Sequence, residues 1–308
     1  MKDVNETPDV EDPTKPMDAN LSRRAFVAMS AGAAAVTTIS AASAADDALG
    51  RFHAPLVPED DPGLIVERPR LDRPGGAIDA YSARPRDAGP STPGVVVVQH
   101  VWGVDAQIRD VVRRFAKAGY VTVAPDLYGR LTPPNGDAAT DFTLFSPLAQ
   151  KLVDDQVDGD IAAGARWIRQ RAGVGADARP PKVGVTGFCM GGSITVRASV
   201  DSPQFDAAAV WYGKIRQATS ADGRATAISL AYGDHVLMPL LGSFGGRDTS
   251  IPADDIRALQ TRLKVPNDLK IYDEAGHAFF DDQRDRYVAS AATDAWTRTL
   301  SWFATYLR

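Results

Sequence analysis

The chain has 308 residues, with 34 lysines and arginines against 39 aspartates and glutamates (formal net charge −5) and 44% apolar residues. These are values of an ordinary globular protein and exclude disorder, collagen and coiled coil as the main architecture. A slightly acidic chain lacks the basic footprint of a nucleic-acid binder, and one cysteine, Cys189, can build neither an intramolecular disulfide nor a Cys-rich metal site.

The first 45 residues differ from the rest. Residues 1–18 are polar and acidic; Ser22-Arg23-Arg24-Ala25-Phe26-Val27 follows, then an uncharged run over 25–45 closed by Ala42-Ser43-Ala44, a small-x-small cleavage pattern. The segment resembles a twin-arginine export signal, whose apolar region is weak. An uncleaved membrane anchor is the alternative; the run is long enough but poor in Leu, Ile and Phe. Cleavage after Ala44 predicts an exported protein, periplasmic or extracellular. No long apolar run follows, so no stable membrane insertion is expected after processing.

Residues 46–74 read as an extended lead-in to one domain over 75–308. Segments 64–68 and 77–84 are expected as short edge strands around the turn Pro74-Gly75-Gly76. A β-then-α alternation follows. The apolar run 95–99 predicts a parallel strand covered on both faces. Asp105 then caps a helix with Ile108, Val111, Val112, Phe115 and Ala118 at helical spacing and Gly119 as its stop. A strand is expected over 121–124 and a loop over 130–141. Val153, Val157, Ile161, Ala165 and Ile168 trace a helix ending near Gly173. Strand 183–188 runs straight into a helix at Met190. Strands over 207–211, 240–244 and 269–272 follow, with a helix over 254–264 and a last amphipathic helix over 286–306. The pattern predicts an α/β fold, a mainly parallel doubly wound sheet flanked by helices, with chemistry at the carboxyl ends of the strands.

Gly187-Phe188-Cys189-Met190-Gly191-Gly192 lies at a strand-to-helix junction. A nucleophile elbow puts its central residue on a strained turn, so the residues two before and two after must be small. The helix start beneath the thiol favours thiolate, the reactive form. Asp248 follows the strand over 240–244 and His277 the strand over 269–272, in the chain order nucleophile, acid, histidine. An imidazole held by a carboxylate can take the thiol proton and return it to a leaving group. Backbone N–H groups of Val101 and Met190 are the expected oxyanion hole.

With these segments the chain resembles the dienelactone hydrolase family of α/β hydrolases. The resemblance is carried by Gln99-His100-Val101-Trp102-Gly103-Val104, the run from Ala124-Pro125-Asp126 through Leu127-Tyr128-Gly129-Arg130, the elbow, Trp211-Tyr212-Gly213, residues 245–252 and Glu274-Ala275-Gly276-His277-Ala278-Phe279. It covers about residues 75–307. It implies an α/β-hydrolase fold and, as in carboxymethylenebutenolidases, ester or lactone hydrolysis through an acyl-thioenzyme, with Cys189, His277 and Asp248 as triad and no metal or cofactor. His100 stands where well-known members have Glu. Arg130 matches one of two arginines that hold a substrate carboxylate there, but Asp281 occupies the other position, and Ala278 replaces a Ser.

His100 has two readings: it orients its loop by hydrogen bonding, or it contacts Cys189 and lowers the thiol pKa. His100, Trp102, Tyr128, Arg130 and Tyr212 are the candidate substrate-binding residues, the aromatic ones being equally readable as packing. Residues 214–238, long for a connection, are a candidate lid. Three rivals remain. A metal site built on His53, His100, His235 and His277 lacks ligand spacing, and a redox-sensing thiol lacks a second Cys. The main alternative is a non-catalytic small-molecule-binding protein that kept the fold.

Overall fold

In the computed structural model, which describes residues 55–137, 139–171, 180–215 and 230–308, the continuous apolar runs become the central strands. The export signal expected over 1–45 lies outside these residues, as do His53, Gly173 and most of the expected lid. Among the described residues no helix is long and apolar enough to cross a membrane.

The strands are β1 (Leu64–Glu67), β2 (Arg70–Leu71), β3 (Ile78–Pro85), β4 (Gly94–Val98), β5 (Val121–Pro125), β6 (Val183–Phe188), β7 (Ala207–Trp211), β8 (Leu240–Gly245) and β9 (Asn267–Tyr272). They lie in the order β1-β3-β5-β4-β6-β7-β8-β9, with β2 paired to β3. From β5 to β9 the neighbours are parallel, whereas β3 runs antiparallel to both β1 and β5. Every residue of β4, β5, β6, β7 and β8 is buried, as strands covered on both faces require.

One expectation is corrected here. The segment expected as a second edge strand is β3, which lies inside the sheet and buries Ala80, Tyr81, Ser82 and Ala83 in succession. Asp79 and Ser82 break its apolar run, so it reads as one-sided although it is covered on both sides. β1 takes the edge position expected for 64–68, and β2, which was not foreseen, pairs with β3; Leu64 and Leu71 join the core.

The helices are α1 (Ala106–Lys117), α2 (Ser146–Gln150), α3 (Asp154–Arg171), α4 (Met190–Asp201), α5 (Ala253–Arg262) and α6 (Ala289–Leu307). Asp105 caps α1 by accepting the Ile108 N–H at 3.1 Å. At its other end Gly119 turns to φ 94°, which lets the Gly119 and Tyr120 N–H groups reach the carbonyls of Ala116 (3.0 Å) and Phe115 (3.1 Å), a Schellman closure. Phe115 ties α1 to α6 through Trp296 (centroids 4.6 Å apart) and Phe303 (5.9 Å). Arg197 of α4 pairs with Asp154 and Asp158 of α3, joining a second group of helices.

The start of α6 falls three residues later than expected, because the Val288 N–H bonds Phe279 O at 2.9 Å and holds 286–288 as loop. A 3-10 turn (Phe142–Leu144) and α2 were not foreseen; both are too short to show periodicity. They carry Phe145, which joins Val101 and Tyr128 in a small apolar cluster of its own.

Candidate active site

The strand-to-helix turn after β6 holds Cys189 at φ 55°, ψ −114°, a conformation that costs a non-glycine residue on the order of 1–3 kcal/mol. Close backbone packing imposes it. A Cβ at Gly187 would lie 2.2 Å from Gly191 O, and one at Gly191 would lie 2.3 Å from Val98 O and 2.5 Å from Gln99 O. The Cys189 N–H is anchored to Trp211 O at 3.1 Å. Small residues at both positions therefore let the elbow press against the end of β4.

His277, in the loop after β9, brings Nε2 to 3.1 Å from Cys189 Sγ and Nδ1 to 2.6 Å from Asp248 Oδ2. Asp248 follows β8, and its other oxygen accepts the Ser250 N–H (2.9 Å) and hydroxyl (2.6 Å). Burial opposes charge on the thiol, but the His277 hydrogen bond and charge outweigh it, helped by the His100 charge and the Met190 N–H, so the thiol pKa is lowered. For His277 burial is likewise overcome, by the bonds to Asp248 and then Cys189, and its pKa is pushed up to about 10. Asp248 is buried too, yet its bond to His277 holds it below the ordinary carboxylate value. The three groups are electrostatically suited to a thiolate–imidazolium pair backed by a carboxylate.

Val101 sits in a tight turn in which the Gly103 N–H donates to His100 O at 3.2 Å, with Gly103 at φ 87°. A trans peptide sets that carbonyl and the Val101 N–H on opposite sides, which turns the N–H away from the turn's own bond. The Tyr128 hydroxyl donates to Val101 O at 3.0 Å and steadies the next peptide. Met190, the first residue of α4, has its N–H at the helix start, without an intrahelical partner.

The remaining candidates divide. His100, buried, has Nε2 at 2.9 Å from Asp105 Oδ1, and Arg284 links Asp105 (3.2 Å) to Asp281 (3.1 Å). Burial works against the His100 charge, but Asp105 and then Asp281 raise its pKa. His100 thus pairs with the cap residue of α1, and its charge is one of the causes that lower the Cys189 pKa. Trp102 packs edge-on to Phe145 (5.1 Å) and Phe142 (6.2 Å), with the Arg284 guanidinium 4.4 Å from its ring centre. Tyr212, at φ 39°, meets His277 edge-on at 5.4 Å. Arg130 donates two hydrogen bonds (2.9 and 2.5 Å) to the fully buried Asp160, which also holds Arg73 at 2.6 Å. An anion buried on α3 thus holds the guanidinium, whose side chain stays 28% exposed.

Sequence reasoning missed Ser250, Asp160, Arg284 and the Phe142–Phe145 wall. The Asp-x-Ser spacing of 248–250 is a readable turn signal; the others depend on contacts distant in the chain. Among the described residues, no group of three or more His, Cys, Asp or Glu is placed to hold a metal ion.

The family model of the dienelactone hydrolases matches residues 78–307. The chain belongs to the dienelactone hydrolase family. It is 40% identical over 235 residues to a Salmonella typhimurium protein named "Putative carboxymethylenebutenolidase", covering 75% of this chain and 84% of that protein. An Escherichia coli protein of the same name is 36% identical over 254 residues, covering 82% and 91%. A crystal structure from Klebsiella pneumoniae, described as a "Putative Dienelactone Hydrolase", is 36% identical with a TM-score of 0.69, covering 79% of this chain and 99% of that one. A dienelactone hydrolase-like promiscuous phosphotriesterase from metagenomic libraries, 18% identical with a TM-score of 0.61, shares the fold; 80% of this chain and all of that one are covered.

Proposed function

We propose that the protein hydrolyses carboxylic esters or lactones through Cys189, His277 and Asp248, by way of an acyl-thioenzyme. The observation that carries this reading is the His277 imidazole bonded on one side to Asp248 (2.6 Å) and on the other to the elbow sulfur (3.1 Å). Family membership and the carboxymethylenebutenolidase relatives support it.

Sγ attacks the carbonyl carbon, and the developing oxyanion is received by the N–H groups of Val101 and Met190. The carbon–oxygen bond to the alcohol breaks as His277 Nε2 passes its proton to the leaving oxygen; in a lactone both halves stay joined. Water then gives a proton to His277 and its hydroxide to the thioester carbonyl. The carbon–sulfur bond breaks, the acid leaves, and the thiolate–imidazolium pair is restored. Asp248 keeps Nδ1 protonated throughout, so Nε2 faces the sulfur in the state that can exchange protons.

The test compares full-chain wild type with folded Cys189→Ala on an activated ester and an unsaturated lactone. Loss of turnover in the variant supports the reading; equal rates, or none in either protein, favour a binding protein that retains the fold. The export signal over 1–45 is part of the same proposal, and a secreted product whose N-terminus is Ala45 supports it.

A further inference from the structure

Two unlike surfaces adjoin the loops that carry the catalytic groups: one of neutralised charges, and one of apolar side chains packed with Val101 and Met190, over which the paired Arg284 guanidinium lies 4.4 Å from the Trp102 ring. Two arginines on the loops around the site already have carboxylate partners. Arg130 is held by Asp160. Arg284 is held by Asp105 (3.2 Å) and Asp281 (3.1 Å), and also donates to Gly136 O and Ala139 O. The Asp105 and Asp281 side chains are 1% and 2% exposed, so each guanidinium answers a buried negative charge that cannot turn to water. An incoming carboxylate would have to compete with these anions.

The apolar surface lies directly beside the oxyanion turn. Trp102 follows Val101 and is backed by Phe142 and Phe145. Phe145 is fully buried, but Phe142 is 53% and Leu144 54% exposed, so this wall continues to a rim facing water. Single exposed apolar residues are common on any protein. Here they extend an aromatic wall that begins one residue from the expected oxyanion donor.

We propose that this site selects uncharged esters or lactones, resting their apolar group on the Trp102–Phe142 wall, and discriminates against substrates that carry a carboxylate. The inference rests on the hydrolase reading above and narrows its substrate class. Desolvating an anion beside an apolar wall, with no cation free of a buried partner on Arg130 or Arg284, is the physical basis of the selection.

The test uses the full-chain protein with phenyl acetate, methyl 4-acetoxybenzoate and 4-acetoxybenzoate, each rate divided by that of hydroxide-catalysed hydrolysis. The methyl ester and phenyl acetate are expected to exceed the carboxylate by about 30-fold in kcat/KM, mostly through KM, the charge being the main difference between the two benzoates. Trp102→Ala is expected to bring that ratio to within a few-fold; if it does not fold, Phe142→Ser at the exposed rim serves the same comparison. Equal or faster turnover of the carboxylate overturns the proposal, as does an unchanged ratio in a folded wall variant. Calorimetric binding of methyl 4-hydroxybenzoate and 4-hydroxybenzoate to Cys189→Ala reads the same preference without turnover. Preference for the methyl ester there, with no hydrolysis by wild type, would sink the hydrolase reading alone and leave the selectivity standing.

Discussion

Replacing Asp248 with Asn changes one atom and reverses a hydrogen bond. The Ser250 N–H points at Oδ1 (2.9 Å), so an asparagine must place its carbonyl oxygen there. Its NH2 group then occupies the position of Oδ2, 2.6 Å from His277 Nδ1. Two donors cannot share that distance; the imidazole must move its proton to Nε2, where it faces the sulfur and cannot accept the thiol proton. The carboxylate that helps push His277 up to about 10 is lost as well. A wrong tautomer and a missing counter-charge together predict a fall in kcat of roughly 10³, or about 4 kcal/mol of barrier. The isosteric change should leave the circular dichroism spectrum intact. Ester hydrolysis and the pH dependence of Cys189 alkylation by iodoacetamide provide the assay. Wild type should alkylate with an inflection below an ordinary thiol's, and the variant's should rise towards or beyond about 8.5. A variant within threefold of wild type in kcat, with an unshifted alkylation profile, would refute the argument.

Other perturbations probe the scaffold. Gly191→Ala forces a Cβ to within 2.5 Å of two backbone carbonyls that cannot swing aside, so a loss of at least about 3 kcal/mol is expected in urea unfolding; a loss under 1 kcal/mol would show that the elbow can relax. Arg284→Met leaves buried Asp105 and Asp281 without their shared cation, with an expected cost of about 3–5 kcal/mol by the same measurement. Acid should also weaken the fold. Asp105 and Asp248 titrate below the ordinary value of 3.8, so their contribution is whole above it and lost as pH falls further, while Asp281, raised by burial, acts in the opposite sense. The urea midpoint should drop as pH falls from about 4 to about 2, and drop less in a folded Asp248→Asn variant; a flat profile over that range would contradict this.

The sheet's centre was legible because its strands are uninterrupted apolar runs bounded by small residues. Residues 183–188 emerge as β6 and Met190 as the start of α4, with the bounds read from the chain. The elbow was legible for a local reason: Gly187 and Gly191 flank Cys189 within five residues. Chain order alone picked out Asp248 and His277, since loops after successive parallel strands meet at one end of a sheet. What stayed hidden depends on partners far along the chain. Asp160 looks like one of several acids on α3, and only the folded protein turns it inward to meet Arg73 and Arg130. Likewise His100 gains its partner from the cap of the next helix, a residue whose own job in α1 was the only one visible in sequence.

The positions of the strands also bear on how activity is acquired. The sulfur rides on β6, in the middle of the sheet, whereas its base and acid hang from β9 and β8 at the border. Cys189 and His277 are separated by 88 residues, and among the described residues β9 pairs with β8 alone. A chain can therefore complete its interior and stay inert until the last border strand zips into register. Recovery of turnover during refolding should trail recovery of bulk secondary structure, which makes catalysis a gauge of whether the C-terminal border has closed.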